Sequence, residues 1–386
     1  MEALRDDPQL KIFAPPNEPF ITSSSGHGSL FQTGQLPGLL IASASLAHDA
    51  KGTSTEDLEG FLDEVEETLQ AFRRLIAGEE VTAITLVTFD GLTLRSGSRV
   101  ETPWGWLRAA TEMEAAQTPM NVVPTVALVI ERPTRFVIGE EFDHDAFKEV
   151  ARRARAPIEL LPLAALLGIE RDDRIILGEV WSTQIEPALL SGYGVASPRG
   201  PRARHAMFFR HGAPARTGGE ALAEEEEREL QEWATLVERH YDPAIEVATT
   251  RTISALLERD APQDALIDAV IALENLFGSA DATGEVVFRV TTAAAHLLEP
   301  DPAKRTEQRR KLSKIYNARS KVLHGVVLTE KLKLSERKEE AIEAAVGSLR
   351  ALFAERPHLI ADRDRGLRLI LGTADETRSS EAASLG

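Results

Sequence analysis

The chain has 386 residues, with 61 Asp and Glu against 44 Lys and Arg, a net charge of −17, and no cysteine. At roughly 150 residues per domain this length supports two or three packed cores. The absence of cysteine excludes disulfides, thiol catalysis, iron–sulfur clusters and every cysteine-containing zinc site. No apolar run reaches the roughly 18 residues that cross a bilayer, since the longest, Ile158–Ile169, contains Glu159 and Pro162. The opening Met1-Glu2-Ala3-Leu4-Arg5-Asp6-Asp7 lacks the basic-then-apolar pattern of a signal peptide. The expectation is a cytoplasmic protein with no membrane partner.

Taken in chain order, residues 1–30 are rich in Pro, Ser and Gly and read as an irregular arm. Thr55–Ala77 repeats apolar residues at three- and four-residue steps, which predicts a helix capped by Ser54 or Thr55 and closed by Gly78. Val81–Phe89 is a β-branched strand, and Asp90-Gly91 supplies a hairpin-type turn into Leu92–Val100. Val122–Glu131, Thr134–Ile138 and Arg174–Thr183 read as further strands, with a helix over Asp143–Arg155. Gly192–Arg204 and Gly212–Gly219 have the composition of loop and linker.

Beyond Gly219 the pattern is helical. Helices are expected over Glu220–Tyr241, Ala244–Arg259, Gln263–Phe277, Glu285–Leu298, Lys304–His324 and Ser335–Phe353, with short breaks between them. Consecutive helices on short loops make a bundle. The resulting fold class is α+β and multidomain. Residues 1–211 form a mixed α/β domain with a sensing or regulatory role, 212–219 a linker, 220–371 a helical domain, and 372–386 a disordered tail.

The charge is unevenly spread. Ala303–Lys338 holds twelve basic residues against Glu307, Glu330 and Glu336, so it carries +9 while the remainder carries −26. A strongly acidic chain does not coat nucleic acid, but this window can present a local phosphate-binding surface; the other reading is a solvated helix face. Phosphate-loop, dinucleotide-binding, nucleophile-elbow and H-E-x-x-H patterns are absent. His205 and His211, and the Asp143-His144-Asp145 cluster, lack a third ligand at metal-site spacing, so neither metal nor cofactor is expected.

The informative segment is Lys314-Ile315-Tyr316-Asn317-Ala318-Arg319-Ser320-Lys321-Val322-Leu323-His324-Gly325. An Arg-x4-His pair alone means little, because chance supplies about one in a chain of this composition. Its weight comes from context: it ends a long basic helix, with Tyr316 three residues before Arg319 and Gly325 directly after His324. Arg319 is permanently charged and offers a planar fork suited to phosphate. His324 falls at the carbonyl end of its helix, and imidazole is the side chain suited to moving a proton near neutral pH. Together they can neutralise a pentavalent phosphate and move a proton on or off a ribose 2′-OH or a leaving oxygen. The bland alternative is that Arg319 pairs with a helix carboxylate and His324 only caps carbonyls.

The Tyr-x-x-Arg-Ser-x-x-x-His-Gly pattern, with Ala272-Leu273-Glu274-Asn275-Leu276-Phe277 upstream, resembles the Apea-like branch of the HEPN superfamily over roughly residues 240–355. The resemblance implies a HEPN-type bundle and a metal-independent endoribonuclease that works by 2′-OH attack and leaves a 2′,3′-cyclic phosphate. It also implies a role in phage defence or toxin-like growth arrest, and a site shared between two protomers. Spacing agrees with the last point, since residues five apart on a helix diverge by about 140° and cannot both face one phosphate. A homodimer or larger even oligomer would bring two sets together.

Catalysis is assigned to Arg319 and His324, support to Glu274, Tyr316 and Ser320, and RNA contact to Arg309, Arg310, Lys314 and Lys321. Glu274 lies inside the apolar stripe Leu266, Val270, Leu273 and Phe277, so it needs a partner: either Arg319, or another bundle arginine or the Tyr316 hydroxyl. Asp264 and Asp268 read as a cap and a solvated acid. Two rival readings remain. One is a non-catalytic HEPN nucleotide- or RNA-binding and dimerisation module carrying an N-terminal sensor. The other places a separate activity in residues 1–211, with the bundle serving only to oligomerise it.

Overall fold

The computed structural model describes residues 57–111, 124–134, 159–170, 220–257, 261–278, 286–324 and 331–374, the strand segments 20–23, 28–30, 136–139 and 178–185, and single residues 41, 44, 45, 48 and 259. The architecture is mixed α+β. Two compact units divide the chain, one of Met1–Pro162 with Leu177–Gln231 and one of Leu163–Ile176 with Glu232–Gly386. The expected helix over Asp143–Arg155, the loops at 192–204 and 212–219, His205, His211, the Asp143-His144-Asp145 cluster and Gly325 lie outside the described residues.

The first unit is built on strands. β1 (Phe20–Ser23), β2 (Gly28–Leu30) and β7 (Phe136–Gly139) form a three-stranded sheet in the order β2-β1-β7. The segment expected to be an irregular arm therefore contributes two strands. β3 (Val81–Asp90), β4 (Val100–Thr102), β5 (Gly105–Ala109), β6 (Val126–Thr134) and β8 (Gly178–Ile185) form a second, antiparallel sheet in the order β4-β5-β6-β3-β8. Val126–Ile130 is buried at every position. Both faces of β6 are covered, which is why its sequence is continuously apolar rather than alternating.

Helix α1 (Leu58–Ile76) buries Phe72 and Leu75, and its cap is Asp57, whose carboxylate accepts the Gly60 N–H at 2.9 Å. Asp57 takes the place expected of Ser54 or Thr55, which lie outside the described residues. The expected Asp90-Gly91 hairpin is also corrected. β3 pairs with β6 and β8, and residues 91–99 are irregular. Gly91 turns at φ 92°, a left-handed conformation that favours glycine. Carbonyls that a hairpin ladder would use are taken elsewhere: Leu92 O accepts from the Thr125 hydroxyl, and Thr93 O accepts the Leu222 N–H at 2.9 Å.

Among the described residues beyond 220, seven α-helices follow. They are α2 (Glu224–His240), α3 (Glu246–Leu257), α4 (Pro262–Phe277), α5 (Val286–Leu298), α6 (Pro302–Leu323), α7 (Lys331–Glu355) and α8 (Arg365–Leu371). α2 runs from the first unit into the second, and α3 to α8 belong to the second. Helix starts follow local chemistry. Asp242 caps the short 3-10 turn Pro243–Ile245 ahead of α3, and Asp301 caps α6 by accepting the Ala303 N–H at 3.0 Å. Proline stands at the first turn of α4 and of α6, where its missing N–H costs nothing.

α4 is the bundle's centre, packing against α3, α5, α6, α7 and α8. Ala265, Leu266, Ala269, Val270, Leu273 and Phe277 are buried along it. The apolar run read at Ile158–Ile169 includes a helical stretch over residues 159–168. Its Leu163–Leu167 portion is buried, and Leu167 O accepts from Arg350 Nε at 2.7 Å. α8 lies beyond the helices expected from the sequence. Arg365 at its start is buried and donates to the carbonyls of Leu359 and Ile360 at 2.9 and 2.7 Å. Gly372–Ala374, placed in the tail by composition, belong to the packed unit, for Ala374 is buried and its carbonyl lies 2.8 Å from His358 Nε2. Among the described residues, no helix is long and apolar enough to cross a membrane.

Candidate active site

The site forms where the C-terminal end of α4 meets the last third of α6. On α6, Leu312, Ile315 and Tyr316 are buried. At about 100° per residue these three and Arg319 fall within an arc of about 100°, so Arg319 is carried on the packed face. Its Nη2 lies 3.8 Å from Glu274 Oε2, with the two side chains 28% and 29% exposed. Glu274 reaches this place because it occupies the apolar stripe of α4, one helical turn before that helix ends. Arg319 is the cation within ion-pair distance of it, among the described residues.

Between them lies a cleft of about 610 Å³ lined by Glu274, Asn275, Gly278, Val286, Val287, Tyr316 and Arg319. That volume is in the range of small-molecule sites. Tyr316 is only 4% exposed. Its hydroxyl and the Nε of Arg319 are both buried and have no hydrogen-bond partner among the described residues. Burial pushes the Tyr316 phenol well above its ordinary range, the Glu274 charge adds to this, and Arg319 opposes it. The phenol therefore stays protonated and acts as a donor.

Asn275, Gly278, Val286 and Val287 are cleft residues that sequence reasoning does not single out. Asn275 accepts the Ala248 N–H at 3.1 Å and so ties the start of α3 to the cleft wall. A Cβ at Gly278 would come within 2.4 Å of Glu274 O, so glycine lets the chain leave α4 tightly against its last turn. Val286 and Val287 begin α5 and are partly exposed beside Phe288. Their only sequence signal is an apolar run at a helix start, which is indistinguishable from core.

His324 is the capping residue of α6, with its N–H donated to Ser320 O at 3.1 Å. It is exposed and does not line the cleft. With α6 continuous through Leu323, His324 sits about 140° around the helix from Arg319. Ser320 is exposed as well and lies outside the cleft. One chain thus brings Arg319, Glu274 and Tyr316 together and leaves His324 and Ser320 apart from them.

The basic residues of α6 divide by face. Arg310, Lys314 and Lys321 are exposed and cluster within about 40° of one another, about 160° around from Arg319. They have no carboxylate within ion-pair distance among the described residues. The others are engaged. Arg305 donates to Glu299 O and Pro300 O, Lys304 pairs with Asp301, Lys311 with Glu307, and Arg309 stacks 5.1 Å over the Phe288 ring. His324 is nearer to the free basic arc than Arg319 is, about 60° from Lys321.

Asp268 requires a correction. The acid expected to be solvated is buried on α4 and takes two arginines, Arg251 Nη1 at 2.9 Å and Arg259 Nε at 2.6 Å. Asp264 is exposed in the first turn, and the capping position belongs to Ala261, which has no side-chain cap bond. Among the described residues, no three His, Asp or Glu side chains are grouped to hold a metal ion. No family model, no curated protein and no solved structure matches the chain.

Proposed function

We propose that this protein is a HEPN-type, metal-independent endoribonuclease whose working site is completed by a second copy of the chain. The observation that carries the reading is the split on α6, with Arg319 in a cleft beside Glu274 and Tyr316 and His324 exposed about 140° around the same helix. A two-fold pairing of such helix ends would set Arg319 of each protomer opposite the His324 of the other. RNA held on Arg310, Lys314 and Lys321 would then pass His324 and present its phosphate to Arg319. The guanidinium stabilises charge on the pentavalent phosphate, and the imidazole transfers the proton that lets the ribose 2′-OH attack. The products are a 2′,3′-cyclic phosphate and a free 5′-OH. The resemblance extends the reading to phage defence or growth arrest, with the strand-rich unit as the sensor.

A second reading rests on the same split. A cleft that holds Arg319 without His324 suits a non-catalytic RNA- or nucleotide-binding and dimerisation module. One experiment separates the two: single-stranded RNA is incubated with the full chain in EDTA and its ends are analysed. Cleavage to cyclic phosphate ends is expected, together with an even-numbered assembly in light scattering. Partial activity regained on mixing Arg319→Ala and His324→Ala chains would add that the two groups come from opposite subunits. Binding without cleavage favours the second reading, and a fully active monomer overturns the shared site.

A further inference from the structure

We infer that the floor of the cleft is a two-donor site for an oxygen of a phosphodiester, made by the Tyr316 hydroxyl and Arg319 Nε, and that Tyr316 is a further substrate-binding residue. The identity of the anion as an RNA phosphodiester rests on the endoribonuclease reading. The donor pair itself rests on the geometry. Both atoms are buried, both lack a partner among the described residues, and both side chains line one cleft of about 610 Å³. They stand three residues apart on α6, hence on one face of the helix.

A donor left unpaired away from water is destabilising and is rare in native structures, where a partner, a bound water or a ligand answers it. Here two such donors belong to side chains that line the same cleft. Glu274 approaches Arg319 through Nη2 at 3.8 Å, too far for a hydrogen bond, and so leaves Nε uncommitted. An oxyanion answers both donors at once, because phosphate oxygens only accept and have lone pairs for several bonds. The phenol stays protonated in its buried place, so it donates and never competes as an anion. Val286 and Val287 give the same cleft an apolar side against which a sugar or base can rest.

This arrangement separates function from stability in a measurable way. A hydroxyl satisfied within the fold stabilises it, and its removal lowers the melting temperature. A hydroxyl kept unpaired for a ligand does the reverse. The test compares the full-length wild type with Tyr316→Phe, using a 2′-O-methyl RNA hexanucleotide that cannot be cleaved by 2′-OH attack. Affinity should fall about tenfold in the variant at fixed salt, while its melting temperature in the absence of RNA is unchanged or higher. Wild-type affinity in Tyr316→Phe, a lowered melting temperature, or failure of the wild type to bind the probe overturns the inference. The two claims come apart in the same samples. Tyr316-dependent binding in a protein that cleaves no RNA keeps the donor site and removes the endoribonuclease reading. Cleavage with Tyr316-independent binding does the opposite.

Discussion

Two of the three carboxylates on helix α4, Asp268 at mid-helix and Glu274 in its last turn, have opposite surroundings. Asp268 is buried and meets Arg251 at 2.9 Å and Arg259 at 2.6 Å, so each of its oxygens has a partner in the fold. Glu274, less than two turns further on, is partly exposed and has Arg319 at 3.8 Å, in a cleft with two donors that lack a partner among the described residues. Both are Arg–carboxylate pairs within one bundle. The first ties α3 to α4 by charge-assisted hydrogen bonds, and the second is a loose pair at the wall of a cleft. A buried polar group that is fully satisfied belongs to the structure. One without a partner in the fold, on a side chain that lines a cleft, is the candidate for a ligand.

The largest expected effect tests this contrast directly. Arg319→Ala should lower RNA cleavage at least a hundredfold, about 3–4 kcal/mol in the barrier, with stability changed by less than about 1 kcal/mol because its pair is loose and partly solvated. Asp268→Asn should reverse the pattern, costing about 2–3 kcal/mol of stability through weakened bonds to two arginines while activity per folded molecule stays at the wild-type level. His324→Ala should match Arg319→Ala in activity and melt like the wild type. Denaturant unfolding and a cleavage assay on each variant provide the check. An Arg319 variant less stable than the Asp268 variant would erase the distinction between the two carboxylates of α4.

The difference between these acids also marks what can be read from the chain. Glu274 is legible because a charge inside an apolar stripe breaks a helical period and demands a partner. Asp268 is not, because its partners sit 17 and 9 residues upstream and nothing local distinguishes it from a surface acid. The same limit applies to the strands. β3 and β6 are long apolar runs and are recognisable, whereas β1 and β2 are short, lie in a Ser- and Gly-rich segment, and join a sheet through the pairing of β1 with β7 more than a hundred residues away. Asp90-Gly91 misleads since a turn dipeptide fixes only the turn, and the strand after it forms only if its carbonyls are free. The helical bounds follow from caps and first-turn prolines, which are local. Val286 and Val287 are invisible as cleft residues, because exposure is a tertiary property.

A smaller effect separates the two faces of α6. Arg310, Lys314 and Lys321 are exposed on the outer arc with no carboxylate partner among the described residues, so Arg310→Glu with Lys314→Glu should weaken RNA binding across sequences. For single strands each neutralised phosphate adds about 0.7 to the steepness of log affinity against log salt, so removing two such cations should flatten the slope by about 1.4. Arg305→Ala is the control. That side chain holds the carbonyls of Glu299 and Pro300, and its removal should lower stability and leave the slope alone. Equal slopes in the double variant and the wild type would place the RNA path elsewhere.

The smallest expected effect asks whether the pH dependence of stability lies with the satisfied groups rather than with the cleft. His296 on α5 is held below its ordinary value of 6.5, first by burial and then by the nearby Arg305 charge, with a bond involving the Leu369 backbone opposing. The folded chain therefore prefers the neutral ring, while the unfolded chain takes up a proton once the pH drops below about 6.5. Stability should be complete above that value and decline as the pH falls toward the lower folded-state value, where the loss levels off. His240 on α2 is displaced in the same direction by burial and by Arg239, so it adds to the same limb. His296→Gln should flatten part of the decline below about pH 6.5, and the further change His240→Gln should flatten more of it. Melting temperatures across that range for the wild type and both variants provide the measurement. A steeper decline after His296→Gln would mean the imidazolium is the form the fold favours, contrary to the burial argument.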